Sequence, residues 1–143
     1  VLEEKVDEAS ILSTYNLRAQ PVHVKGSGKE KPTDKINRVK RINVCFTLSE
    51  NTILASGKRT LYVRIAQPDK EILIAGRGDT YTFEHQGETL QYSVKKELSY
   101  QNEALDICVK YNLRNTQEVQ AGLYHVDIFD GDNNIGHTTF ELR

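Results

Sequence analysis

The residues in this chain that could do chemistry are few, and their spacing decides what each group is for. His125, Asp127 and His137 fall on what read as two adjacent strands, where the histidines could approach each other with the carboxylate on the same face. Such a trio could hold zinc or pass a proton. However, none of His23, His85, His125 and His137 has a short ligand spacing to another histidine or a cysteine, so the trio is expected to be a polar, solvent-facing group. Asp130, Asp132 and Asn134 occupy alternate positions, with Glu141 in the twelfth place counted from Asp130, which imitates a calcium-binding loop. The sixth place is Ile135 instead of the glycine such a loop needs for its bend, so this stretch reads as a hairpin turn.

Other motifs fail on a single position. Gly26-Ser27-Gly28-Lys29 has the look of a phosphate loop, but Glu30 stands where Ser or Thr would bind magnesium and His23 replaces the first glycine. Arg77-Gly78-Asp79 matches an integrin-ligand tripeptide and is read as a turn between strands. Lys25 to Arg41 holds seven Lys or Arg residues against Glu30 and Asp34, a segment able to meet phosphates. No aromatic residue is interleaved to stack on bases, so it is expected to be a solvated loop. Cys45 and Cys108 each sit between core-type neighbours and so point away from the core, where two reduced thiols are expected rather than a disulfide. No nucleophile elbow, Cys-His pair or nucleotide loop is present, and the expectation is a protein without catalytic, cofactor or metal-ligating residues.

The elements that position these groups are mainly strands. Tyr124, Val126 and Ile128 alternate with His125 and Asp127, and Thr138, Phe140 and Leu142 resume the period of two after the turn, giving a closing hairpin. Ile42 to Leu48, Leu61 to Ile65 and Leu105 to Tyr111 alternate in the same way. Tyr15 to Ala19 begins a first strand that Pro21 interrupts, marking it as an edge or a bulge. Gln67-Pro68-Asp69-Lys70 predicts a β-turn leading into a short strand over Glu71 to Ala75, and further strands are expected around Tyr81 and Leu90. Only residues 1–13 carry a helical period, with Leu2, Val6, Ala9 and Leu12 on one side.

About nine short strands with one apolar face each imply an all-β fold, an antiparallel β-sandwich, over residues 14–143. The Gly122 to Ile128 pattern resembles the tyrosine corner of immunoglobulin-like and fibronectin-type domains, with Tyr124 bonding back to the preceding loop. At 143 residues, 38% hydrophobic and 27% charged, the chain can bury a core as one domain, and no apolar run is long enough to span a bilayer. Its net charge of −1 gives no global attraction to polyanions, so nucleic acid is set aside as a partner. The chain starts at Val1 and lacks methionine, as expected of a piece of a longer protein, and a cytoplasmic setting is taken as the working expectation.

The segments R-V-K-R-I-N-V-C-F-T-L-S-E-N (38–51), L-Y-V-R-I-A-Q-P-D (61–69) and the final hairpin together resemble the C-terminal β domain of bacterial coiled-coil proteins labelled as chromosome-segregation or partitioning proteins. The resemblance implies that residues 1–13 are the end of a coiled-coil stalk, able to bring copies together, and it implies no site residue. The function expected is a non-catalytic interaction or structural module at the end of that stalk, binding a protein partner through a face, its loops or an edge, with the strand around Pro21 as the candidate edge. The alternative is an extracytoplasmic ligand- or carbohydrate-binding module using exposed tyrosines such as Tyr62 and Tyr100 as stacking platforms.

Overall fold

Alternation of apolar and polar side chains writes most of this molecule as strands, and the computed structural model, which describes residues 11–76, 80–114 and 119–143, shows how they pair. In chain order they are β1 (Thr14–Val24), β2 (Glu30–Pro32), β3 (Arg41–Leu48), β4 (Gly57–Ala66), β5 (Thr82–His85), β6 (Glu88–Gln91), β7 (Val94–Tyr100), β8 (Leu105–Asn112), β9 (Gly122–Asp130) and β10 (Asn133–Leu142). They form one four-stranded sheet in the order β2-β1-β3-β8, a second in the order β10-β9-β4-β7, and a small β5-β6 hairpin. All the pairings are antiparallel.

The two larger sheets bury their apolar positions in one core. Ile42, Val44 and Phe46 of β3 and Ile107, Val109 and Tyr111 of β8 join Leu61, Val63 and Ile65 of β4 and Tyr124, Val126 and Ile128 of β9. The fold is therefore all-β and consistent with a β-sandwich. A second apolar cluster lies on the other face of β4 and β9, where the β5-β6 hairpin covers Tyr62 and Phe129. There Tyr62 stacks on Phe83 with centroids 4.4 Å apart and planes 5° from parallel.

Several expectations need correction. The short N-terminal helix falls mostly on residues 1–10, outside the described residues, and residues 11–13 form no helix. Instead Leu12 is buried in the core, and the Ser13 carbonyl accepts from Ser49 N at 2.9 Å. The segment Glu71 to Ala75 forms no full strand: after the β-turn closed by Lys70 N on Gln67 O at 2.8 Å it makes an isolated bridge between Ala66 and Ile72, with Gln67 N on Glu71 O at 2.8 Å and Leu73 N on Ile65 O at 2.9 Å. Part of the basic segment read as a solvated loop is the strand β2, and beyond the strand expected around Leu90, which is β6, the chain forms a further strand, β7.

Pro21 does not interrupt β1. Ser49 N donates to Ser13 O, so by the period of two the odd-numbered residues of β3 turn their peptide groups toward β1, and beyond the register shift between Tyr15 and Arg18 they face its even-numbered residues Arg18, Gln20 and Val22. Pro21, paired with Ile42, then needs no N–H for that ladder, and its carbonyl accepts from Thr33 N at 3.1 Å. The irregularity in β1 lies instead between Tyr15 and Arg18, where Asn16 has φ 54°.

Candidate functional site

The final hairpin brings its chemically equipped residues together as the alternation requires. His137 pairs with Asp127 across β9 and β10, with Nδ1 2.9 Å from Asp127 Oδ1. Asn134 Nδ2 donates to the same oxygen at 3.1 Å, and the rings of His125 and His137 stack with centroids 5.4 Å apart. Arg64 stands opposite Asp127 on β4; burial lowers its pKa and the Asp127 charge opposes that shift. The group lies on the outer face of its sheet, away from the core. Among the described residues no three His, Cys, Asp or Glu side chains are arranged to hold a metal ion. A histidine paired with a carboxylate in this way can hydrogen-bond, ion-pair or hand on a proton.

The acidic turn is committed to structure. Asp130 Oδ2 accepts from Arg59 Nη1 at 2.7 Å, and Asp132 Oδ1 accepts from the Gln86 backbone N at 2.7 Å, which latches the β5-β6 hairpin to the turn. Asn134 Oδ1 accepts from Gly136 N at 3.1 Å, and Glu141 Oε1 lies 3.9 Å from Arg143 Nε. Four oxygens with four separate partners do not converge on one cation. In the basic segment, Arg41 pairs with Glu30 at 2.8 Å, while Lys25, Lys29, Lys31, Lys35, Arg38 and Lys40 are exposed. The tripeptide Arg77-Gly78-Asp79 lies outside the described residues.

Neither tyrosine expected as a stacking platform is open. Tyr100 is fully buried, its hydroxyl donating to Ser49 O at 2.7 Å, and Tyr62 is covered by Phe83. Tyr124, by contrast, makes the corner expected of it. Its hydroxyl donates to Gln120 O at 2.7 Å and accepts from Gln120 N at 2.9 Å.

The expectation of two reduced thiols is overturned. Cys45 and Cys108 are directly opposite on β3 and β8, Cα atoms 4.1 Å apart, and are joined in a disulfide. Alternation correctly turned both away from the core, but it turned them onto the same outward face, at paired positions. Their close approach is that of the non-hydrogen-bonded pairs of an antiparallel ladder, whose peptide groups face away from each other.

That parity exposes an edge the sequence did not mark. Leu113 N donates to Lys40 O at 3.0 Å, so Tyr111, Val109, Ile107 and Leu105 turn their peptide groups to β3. Asp106, Cys108, Lys110 and Asn112 therefore turn theirs outward, and among the described residues no strand of the sheet lies beyond β8. Beside this edge runs a groove of about 360 Å³ between β7 and β8, with Leu98 on one wall and Leu105 and Ile107 on the other. The edge around Pro21, expected to be the free one, is flanked by β2 and by the residues after it. A signal for the true edge was present in β8 as an Asp, Cys, Lys series on one face, but only the strand order gives it meaning.

A family model described as "Domain of unknown function (DUF8428)" matches residues 15–143. No curated protein matches the chain. Among solved structures, a Pseudomonas fluorescens alkylpurine DNA glycosylase AlkC bound to DNA containing an abasic site analog is similar over 92% of this chain, with 18% identity and a TM-score of 0.48. The chain spans only 30% of that protein. The expectation that set nucleic acid aside as a partner is corrected, because it rested on net charge alone while Lys25, Lys29, Lys31, Lys35, Arg38 and Lys40 are all exposed. Near-neutral net charge removes long-range attraction but leaves a local basic patch free to contact phosphates. At this TM-score the likeness does not extend to what the neighbour binds or catalyses.

Proposed function

The chain belongs to the DUF8428 family, a domain of unknown function, and from that premise we propose that it is a non-catalytic interaction module that takes up an extended protein segment along the β8 edge. The observation that carries the reading is the row of outward-facing peptide groups at Asp106, Cys108, Lys110 and Asn112, lying beside the groove between β7 and β8. An added strand would satisfy those groups with main-chain hydrogen bonds, and alternate side chains would reach Leu98 and Leu105. The Tyr124 corner and the Greek-key-like exchange of strands between two sheets support an immunoglobulin-like or fibronectin-type sandwich as the scaffold.

An array of extended peptides screened against the chain tests this. A binding peptide should slow amide hydrogen exchange at Asp106, Cys108 and Lys110, and Lys110→Pro, which removes one outward N–H, should lose binding while circular dichroism stays unchanged. No binding peptide, or binding that leaves those amides unprotected, overturns the reading.

One observation favours a second reading, that of an extracytoplasmic binding module. The Cys45–Cys108 bridge supports an oxidising compartment, since disulfides are rare in the cytosol. Acid trapping and alkylation of the protein drawn directly from cells would show labelled thiols if this reading is wrong.

A further inference from the structure

The β8 edge carries more than free peptide groups: its charges are self-complementary. Along the outward face run Asp106, Cys108 and Lys110, so the sign of charge reverses about Cys108. We propose that two copies of this chain pair β8 against β8, antiparallel about a two-fold axis through Cys108, joining their four-stranded sheets into one of eight strands. This rests on the reading of β8 as the docking edge, and it names the occupant as a second copy.

The register follows from parity and charge. Only pairings of even with even residues bring outward peptide groups face to face, and only these keep Ile107 and Val109 on the core face of both copies. Among them, pairing about Cys108 sets Asp106 opposite Lys110 of the second copy, and by symmetry does so twice. Shifting the axis to Ile107 or Val109 would leave Asp106 opposite a neutral residue. Ile107 then faces Val109, and Leu105, one of the large apolar side chains left exposed, faces Tyr111.

Both charged partners can make the exchange. Asp106 Oδ1 accepts from Thr47 Oγ1 at 2.6 Å, leaving the second carboxylate oxygen for a cation. Lys110 Nζ is 3.6 Å from Glu30 Oε2 with its side chain 53% exposed, while Arg41 holds the same carboxylate oxygen at 2.8 Å. Glu30 therefore keeps a cation when Lys110 turns to the edge. An edge protected only by like charges would repel its own copy; a series that reverses sign at its centre attracts it.

Sedimentation over a range of concentrations provides the test. The wild-type mass should rise from 16.3 kDa toward twice that value. Asp106→Lys and Lys110→Asp, each placing like charges opposite at two points, should each weaken association by about tenfold. The double charge swap should restore it. If a single variant fails to fold, the concentration dependence of Cys108 amide exchange in the wild type decides instead, with slowing at high concentration expected. A monomer at every concentration, association insensitive to the single changes, or failure of the swap to recover it overturns the proposal. If the chain is monomeric yet peptides protect the β8 amides, self-pairing falls while the docking reading stands.

Discussion

The two lateral sides of this molecule solve the same problem in different ways. On one side β1 lies against β10: Thr14 Oγ1 donates to Ile135 O at 2.5 Å, and the absence of a side chain at Gly136 lets Thr14 and Leu17 approach. A Cβ on Gly136 would stand 2.6 Å from Thr14 Oγ1 and 3.0 Å from Leu17 Cδ2, so the closure depends on glycine there. On the other side β7 and β8, the edges of different sheets, line a groove, and among the described residues no strand bridges them. That open side is held instead by a covalent link, with Cys108 fixing β8 to β3. Packing secures the closed side and a cross-link secures the open one, which leaves the open edge free for a partner without leaving it loose.

The largest expected effect tests the closed side. Leu12, 1% exposed, enters the core from the segment leading into β1. Leu12→Ala should cost about 2–5 kcal/mol, the loss of buried methyl groups plus an unfilled cavity. Leu105→Ala on the open side, where the side chain is 38% exposed, should change stability by no more than about 0.5 kcal/mol. Urea denaturation of both variants measures the contrast, and equal midpoints would remove the distinction between the sides.

A smaller effect tests the cross-link. Replacing both cysteines, Cys45→Ser with Cys108→Ser, should lower stability by about 2–4 kcal/mol, because the bridge closes a loop of sequence separation 63. The loss should be local as well as global: β8 amides should gain exchange rate more than those of β10. Uniform acceleration across both strands would show that the bridge serves the whole fold and not the open side.

How much of this was legible follows from which signals are local. Tyr124, Val126 and Ile128 declared their strand and its buried face because alternation is a property of consecutive residues, and the corner hydroxyl bonds only four positions back, to Gln120. The disulfide was not legible, because Cys45 and Cys108 become neighbours only when β3 and β8 pair. β7 was missed because Lys95, Lys96 and Glu97 are all exposed, so an edge strand with solvent on more than one side shows no period of two. Tyr62 was misread as open because its cover, Phe83, comes from a hairpin on the far face of the sheet. The His125, Asp127 and His137 cluster was placed correctly from the turn and the strand period, whereas the edge at β8 depended on strand order, which the sequence does not encode locally.

The smallest effect concerns the polar strap that crosses the outer face beside the open edge. Glu30 of β2 accepts from Arg41 Nη1 at 2.8 Å and from Asn43 Nδ2 at 3.1 Å, both on β3, with Lys110 of β8 at 3.6 Å. The hydrogen bond from Arg41 first, then that from Asn43, holds the Glu30 carboxyl below its ordinary pKa; desolvation opposes them, and the lesser effects of the Lys110 and Arg41 charges add to the lowering. A carboxyl whose pKa is depressed by folding releases its proton more readily in the native state. Its contribution is therefore fully present above the unfolded pKa and is lost as the pH falls through the folded one. Glu30→Gln should melt below the wild type at neutral pH, and the gap should close as the solution is acidified through and below the usual carboxylate range. A gap of constant size across that range would mean that Glu30 acts through shape alone, and that β2, β3 and β8 are joined on this face by the backbone ladder and the disulfide without help from charge.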